Sequence, residues 1–131
     1  MTNLKDIKSK VENLSVLIID DEEEIRDVNS RFMKKLFAKV DTAKDGKEGL
    51  QKFKDNSYDI IFTDIKMPLM DGWELINKIR EINKEIFIVA MTASRKFEKE
   101  LSHLSNMYIL KPIEIDIMKD ILFKIIKEKK L

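Results

Sequence analysis

The sequence predicts a doubly wound α/β domain, on three observations. Short runs rich in β-branched residues alternate with longer stretches of helical period. The clearest of those runs, Ser15–Ile19, is continuous rather than apolar at alternate positions, as a strand buried on both faces of a parallel sheet requires. The length, 131 residues, suits one domain with one core and is too short for two.

Each element follows in order. Residues 1–13 are polar and helix-permissive, and read as a loose leader or a short appended helix rather than part of the core; the domain proper spans 14–131. Ser15-Val16-Leu17-Ile18-Ile19 is the first strand. Residues 23–37 have helical spacing, with Ile25, Val28, Phe32 and Leu36 on one stripe. A weaker strand runs from Ala38 to Ala43, Asp45-Gly46 punctuates it, and Leu50 and Phe53 anchor a second helix. Asp59 to Thr63 is a buried strand, and Pro68 and Gly72 bound the loop after it. Leu75, Ile76, Ile79 and Ile82 mark a third helix, and Ile86 to Met91 a fourth strand. A short helix then carries Phe97, Leu101 and Leu104. Met107 to Leu110 is the last strand, broken by Pro112, and a final helix begins near Glu114. Five strands alternating with five helices imply a parallel sheet covered on both faces, in the flavodoxin-like order 2-1-3-4-5.

Composition removes several classes of function. Lys and Arg number 25 against 24 Asp and Glu, a net charge of +1, so no global field draws nucleic acid or a membrane surface. Without cysteine there are neither disulfides nor thiolate metal sites. No apolar run approaches the roughly 20 residues of a membrane span, and the first residues lack the apolar core of a signal peptide. A cytoplasmic protein is expected. The Lys-rich end, Lys127, Lys129 and Lys130, reads as a solvated helix tip.

The strand ends carry the chemistry. In such a sheet ligands bind beyond the carboxyl ends of the strands. Asp20-Asp21 follow the first strand, Asp64 the third, Thr92 the fourth and Lys111-Pro112 the fifth. Taken singly, each has an ordinary explanation: Asp-Asp or Thr can cap the next helix, and Lys is common where a strand meets solvent. Four chemically matched groups on one edge are harder to assign to chance. Three carboxylates held together repel one another unless a cation sits among them. An oxygen-only donor set without His or Cys favours a hard ion, and Mg²⁺ suits a loose site that keeps waters. A carboxylate can attack phosphorus to give an acyl phosphate. The cation, Lys111 and Thr92 would then neutralise and hydrogen-bond the phosphoryl oxygens.

These residues resemble the receiver domains of response regulators. The stretch Asp64-Ile65-Lys66-Met67-Pro68-Leu69-Met70-Asp71-Gly72 is similar to that family's phosphoacceptor loop, and Asp20-Asp21, Met91-Thr92-Ala93 and Lys111-Pro112 match its other motifs in order. The resemblance covers residues 14–131. It implies that Asp64 is phosphorylated. Mg²⁺ would be held by Asp21, Asp64 and the main-chain carbonyl of Lys66, with Asp20 holding its waters. Lys111 would pair with the phosphoryl group, through a cis bond to Pro112, while Thr92 and Tyr108 move together as the switch. Lys66 and Ser94 are the positions expected to tune dephosphorylation. The implied partners are a histidine kinase or phosphotransfer protein and a downstream target, in a two-component phosphorelay. The domain would catalyse its own phosphorylation and slow dephosphorylation without turning over a substrate. Two departures from the family stand out. The stretch from Thr92 to Lys111 is short, with Ser105-Asn106-Met107 replacing the customary Gly-Ala, so the fourth helix should be short or displaced. Lys66 brings a cation two residues past the acceptor.

Other features read as structural. His103, the only histidine, lies off its helix's apolar stripe and should be exposed. The seven methionines suit core filling, and Trp73 should pack near the rim of the site. On the last helix Met118, Ile121, Leu122 and Ile125 should face the sheet. Phe123 falls outside that stripe, which suggests a homodimer or target-docking patch beside Tyr108. Two rival functions share the fold. A Mg²⁺-dependent phosphatase with an Asp nucleophile would want a second acid just after it and a substrate cap, whereas Asp64 is followed by Ile65 and Lys66 and no insertion could form a cap. A flavin-binding protein would want a hydroxyl- or Gly-rich phosphate cradle after the first strand, where this chain has five acids.

Overall fold

The fold is described by a computed structural model covering residues 4–94, 96 and 98–131, with only the backbone described at Leu4 and Leu101. The elements are α1 (Leu4–Val11), β1 (Ser15–Ile19), α2 (Glu23–Lys34), β2 (Lys39–Ala43), α3 (Gly46–Asp55), β3 (Ile60–Asp64), α4 (Gly72–Ile82), β4 (Phe87–Thr92), α5 (Glu98–Leu104), β5 (Met107–Leu110) and α6 (Ile115–Lys129). All strand pairs are parallel, in the order β2-β1-β3-β4-β5. The expected topology is therefore formed. β3 and β4 are displaced by one residue from the expected limits, so Asp64 and Thr92 are the last residues of their strands rather than the first beyond them.

Alternation along the strands divides the core in two. Val16, Ile18, Ile60, Phe62, Phe87, Val89 and Met91 point to the face covered by α1, α2 and α6. Leu17, Ile19, Ile61, Ile88 and Ala90 point to the face covered by α3 and α4. Asp59 aligns the first and third strands, since its main-chain N–H donates to the Ser15 carbonyl and its carboxylate accepts from the Ser15 N–H. Among the six methionines for which burial is described, Met33, Met67, Met91 and Met118 are buried, as core filling requires.

Three expectations are corrected. The leader takes the helical one of its two expected forms, but it is not outside the core: Ile7 and Val11, one turn apart, are fully buried against α6 in the same cluster as Leu36 and Phe37. Each such burial is worth about 1.5–3 kcal/mol, enough to dock a helix whose residues between Leu4 and Val11 are, apart from Ile7, polar. This makes six helices among the described residues rather than five. The face of α2 is also rotated. Ser30 and Met33 are its buried residues, while Val28, assigned to the core stripe, is 63% exposed and Ile25 and Phe32 are half-buried. On α4, Leu75, Ile76 and Ile79 are buried as expected, but Ile82 is 56% exposed.

The end of the sheet opposite the acidic cluster is fixed by a hub the sequence gives no sign of. The Arg80 guanidinium donates to the carbonyls of Leu104 (2.7 Å), Ile86 (2.7 Å) and Lys84 (3.2 Å) and to Asn106 Oδ1 (2.8 Å). Asn106 Oδ1 also accepts from the Ile88 N–H, its amide donates to Glu128, and its carbonyl accepts from Lys124. Asn106, the residue that departs from the family's usual small pair, thus joins α4, β4 and α6. The helix it follows, α5, is short at seven residues, as expected. Phe97, expected on that helix, lies outside the described residues.

Candidate functional site

Strand register brings the site together. Asp64 pairs with Met91, and Thr92 with Leu110. The Ile65 N–H donates to the Met91 carbonyl and the Lys111 N–H to the Thr92 carbonyl, which carries the ladder just past the strand ends. The loop after β3 turns back sharply. A Cβ at position 72 would stand 2.3 Å from the Asp64 carbonyl oxygen, so only glycine lets α4 begin there. Asp71 caps that helix by accepting from the Glu74 N–H. Within the loop Leu69 has φ 69°, and the Met70 N–H donates to the Pro68 carbonyl, closing a tight three-residue turn.

Asp20 is fully buried. Its Oδ1 accepts from the Glu22 N–H, and its carbonyl accepts from the Arg26 guanidinium. Oδ2 lies 2.9 Å from the Lys111 ammonium yet receives no hydrogen bond of good geometry. Asp64 is buried too. Its Oδ1 accepts from the Ile65 N–H and its Oδ2 from Lys111 at 3.0 Å. Burial raises the Asp64 pKa above the usual carboxylate range, and the charge on Asp20 adds to this, while Lys111 pulls the other way. Burial opposes the Lys111 ammonium, but the close carboxylates of Asp20 and Asp64 outweigh it and raise its pKa. Carboxylate oxygens of Asp20, Asp21, Glu22 and Asp64 lie within 4.8 Å of one another. One ammonium does not relieve this crowding, and Asp20 Oδ2 is a buried oxygen still short of a donor. The residues present therefore fit a hard divalent cation.

The switch and tuning positions lie alongside. Thr92 is buried, with Oγ1 accepting from the Ser94 N–H. The Tyr108 hydroxyl donates to the Ser94 carbonyl, a tie that joins β5 to the segment after β4. Ser94 and Lys66 are exposed. Lys111–Pro112 is cis, as expected. An open groove of about 970 Å³ runs past Asp64, with Lys66, Thr92, Ser94 and Lys111 on its polar side and Ile25, Val28, Pro112 and Ile113 on its apolar side. The exposed residues of α2 that looked like core in the sequence are the rim of this groove.

All the expected residues, Asp20, Asp21, Asp64, Lys66, Thr92, Ser94, Tyr108 and Lys111, gather at this edge. Sequence reasoning passed over Glu22, whose carboxylate lies 3.5 Å from Lys111; it read as one more acid in a helix's first turn. Trp73 is 38% exposed on the first turn of α4 and does not line the groove, and His103 is exposed as expected. On α6 the sheet-facing stripe is as expected. Phe123 is 43% exposed, outside that stripe. Lys124 and Glu128 mark the flank toward Asn106, and Phe123 is about 100° round the helix from Lys124.

A parallel sheet whose carboxyl edge presents an acidic cluster, a buried carboxylate held by lysine and a neighbouring hydroxyl is a platform for cation-assisted phosphoryl chemistry. Residues 16–123 match the sequence profile of the response regulator receiver domain, and the chain belongs to that family. It is 40% identical over 111 residues to the sensor protein EvgS of Escherichia coli K12, covering 82% of this chain and 9% of that protein's length. It is 29% identical over 114 residues to the chemotaxis protein CheY of Halobacterium salinarum, covering 82% of this chain and 95% of that protein. Among solved structures it is similar to the response regulator TrrA of Thermotoga maritima in complex with Mg²⁺ and beryllofluoride. That match has 31% identity, a TM-score of 0.78 and coverage of 86% of this chain and 98% of that one. Receiver domains pair with histidine kinases and downstream effectors.

Proposed function

We propose that this chain is the phosphoacceptor switch of a two-component system, with Asp64 as the residue that takes the phosphoryl group. The supporting observation is the pairing of buried Asp64 with Lys111 inside the four-carboxylate cluster. Asp20, Asp21, Asp64 and the Lys66 carbonyl would hold Mg²⁺, which when bound neutralises charge on the phosphoryl oxygens. The chain's own residues do the rest. Asp64 supplies the attacking oxygen, Lys111 its counter-charge, and Thr92 a hydroxyl for the phosphoryl group. Drawing Thr92 inward would break the Ser94 N–H bond to Oγ1 and release Tyr108 from its present partner, a shift between two packings. The apolar rim of Ile25, Val28 and Ile113 suits an incoming helix of the phosphodonor. Incubation with acetyl phosphate tests this reading: a stoichiometric, labile acyl phosphate is expected, and continuous release of inorganic phosphate would point to the phosphatase instead.

Mg²⁺ should stabilise the fold. A ligand at a hundredfold above its dissociation constant contributes about 2.7 kcal/mol, or roughly 5–10 °C in melting temperature for a domain of this size. A melting curve indifferent to millimolar Mg²⁺ would remove the metal from the proposal.

Lys66 lines the groove beside Asp64, within the approach of water to a phosphoryl group. Replacing it with Asn or Ala should leave labelling intact and shorten the phosphoform's lifetime about two- to tenfold, of the order of one charge-assisted contact. Decay followed by intact mass checks this, and an unchanged or longer lifetime would mean that Lys66 points elsewhere. Ser94, whose carbonyl holds Tyr108, is the second tuning position.

We propose exposed Phe123 on α6, with Tyr108, as the surface for a homodimer or an external target. The comparison is wild type against Phe123→Ser by sedimentation, with and without a beryllofluoride mimic. Association that appears with the mimic and is lost in the variant is expected; monomers throughout would leave only an external target.

A further inference from the structure

The four carboxylates of the cluster do not have equal work, and Glu22 is the one without a role in the family's pattern. Lys111 Nζ stands 2.9 Å from Asp20, 3.0 Å from Asp64 and 3.5 Å from Glu22. The first two are the carboxylates that a divalent cation would claim, and the oxygens facing Lys111 are Oδ2 of each. An ammonium and a divalent cation compete for those oxygens, because like charges repel strongly at such separations in a partly buried site. The lysine must therefore give ground as the cation arrives. It cannot leave altogether, since its side chain is only 12% exposed and the strand fixes its main chain. Glu22 has the opposite character. Its side chain is 60% exposed and free to follow, while its main chain is tied to Asp20 through the N–H bond to Oδ1.

Resting on the cation site proposed above, we infer that Glu22 is a positioning residue: it retains the Lys111 ammonium when the cation occupies the cluster. The displaced lysine then has an anionic partner at the mouth of the site and stays within reach of a phosphoryl group on Asp64. Without that partner, the cation must bind against an uncompensated ammonium, so cation affinity depends on Glu22 through Lys111. This differs from Glu22 acting as a ligand or as one more negative charge nearby, and the difference can be measured.

The experiment is calorimetric titration of the full chain with MgCl₂ alone. Glu22→Gln should weaken Mg²⁺ binding about five- to tenfold, the range of a single coupled contact. Glu22→Asp keeps the charge but draws the carboxylate back from Lys111 by one methylene, and should lose nearly as much. In a Lys111→Met background, where no ammonium has to be housed, Glu22→Gln should change affinity less than about twofold. Glu22→Asp binding like wild type would overturn the inference, as would an equal loss with and without Lys111, since either means that Glu22 acts by charge or ligation alone. An exposed residue makes the Gln and Asp variants safe to fold, and a melting curve of the Lys111→Met chain confirms that the comparison background is folded. If the wild type itself fails to bind Mg²⁺, the cation site falls rather than the role of Glu22 within it.

Discussion

Asp64→Asn should take up no phosphoryl group from acetyl phosphate, while the wild type gains one per chain by intact mass. The substitution removes the attacking carboxylate oxygen and almost nothing else. An amide fits the same space, and its oxygen can still accept from the Ile65 N–H. What is lost is the ion pair with Lys111, which keeps Asp20 and Glu22 as partners. The fold should survive, and the sign of the pKa shift gives the reason. Burial raises the Asp64 pKa in the folded state, so the ionised carboxylate opposes folding once pH rises above its ordinary value. Asn carries no such penalty, and the variant should melt at or above the wild-type temperature near neutral pH. Full labelling of the variant would move the acceptor to another carboxylate. Loss of both labelling and fold would leave the role of Asp64 to be tested by Asp64→Glu.

The largest structural effect is expected at Arg80, far from the chemistry. Arg80→Met keeps the apolar stem and removes a guanidinium that serves three carbonyls and Asn106 Oδ1. Hydrogen bonds to a charged donor are worth about 1.5–3 kcal/mol each, but partly exposed carbonyls recover much of this from water. The net cost should be about 3 kcal/mol, roughly 6–11 °C in melting temperature for a chain of this length. Arg80→Lys should restore little, because one ammonium cannot span three carbonyls on two segments. Urea denaturation measures the loss, and an unchanged midpoint would mean that water replaces the guanidinium without penalty.

The strands were legible because burial on both faces demands continuous β-branched runs, and few other contexts do. Their ends were legible because polar residues there have nowhere else to point. Helix faces were harder. The α2 pattern of Ile25, Val28, Phe32 and Leu36 suggested a core stripe, but this helix borders the groove and its apolar flank lines a rim. The buried face instead holds Ser30 and Met33, and a small hydroxyl residue gives no periodic signal. The burial of α1 was legible but outweighed by the polar composition of the segment: Leu4, Ile7 and Val11 recur at i, i+3 and i+7, the spacing of one helical stripe. Glu22 was hidden among five consecutive acids, Arg80 because its partners are mainly main-chain carbonyls, which leave no trace in residue type, and Asn106 because its partners Arg80, Ile88 and Glu128 lie far from it in sequence.

The docking of α1 bears on where this domain can be cut. The family profile begins at residue 16, and a fragment designed to that limit would keep every residue of the proposed chemistry. It would also discard Ile7 and Val11 and bare the hydrocarbon they cover on α6 and beside Leu36 and Phe37. The stretch that evolution shares and the stretch that physics holds together are different lengths in this protein. A fragment cut at the shared limit would carry a greasy scar on the side of the sheet where α2 and α6 lie, and its tendency to stick there would say nothing about signalling.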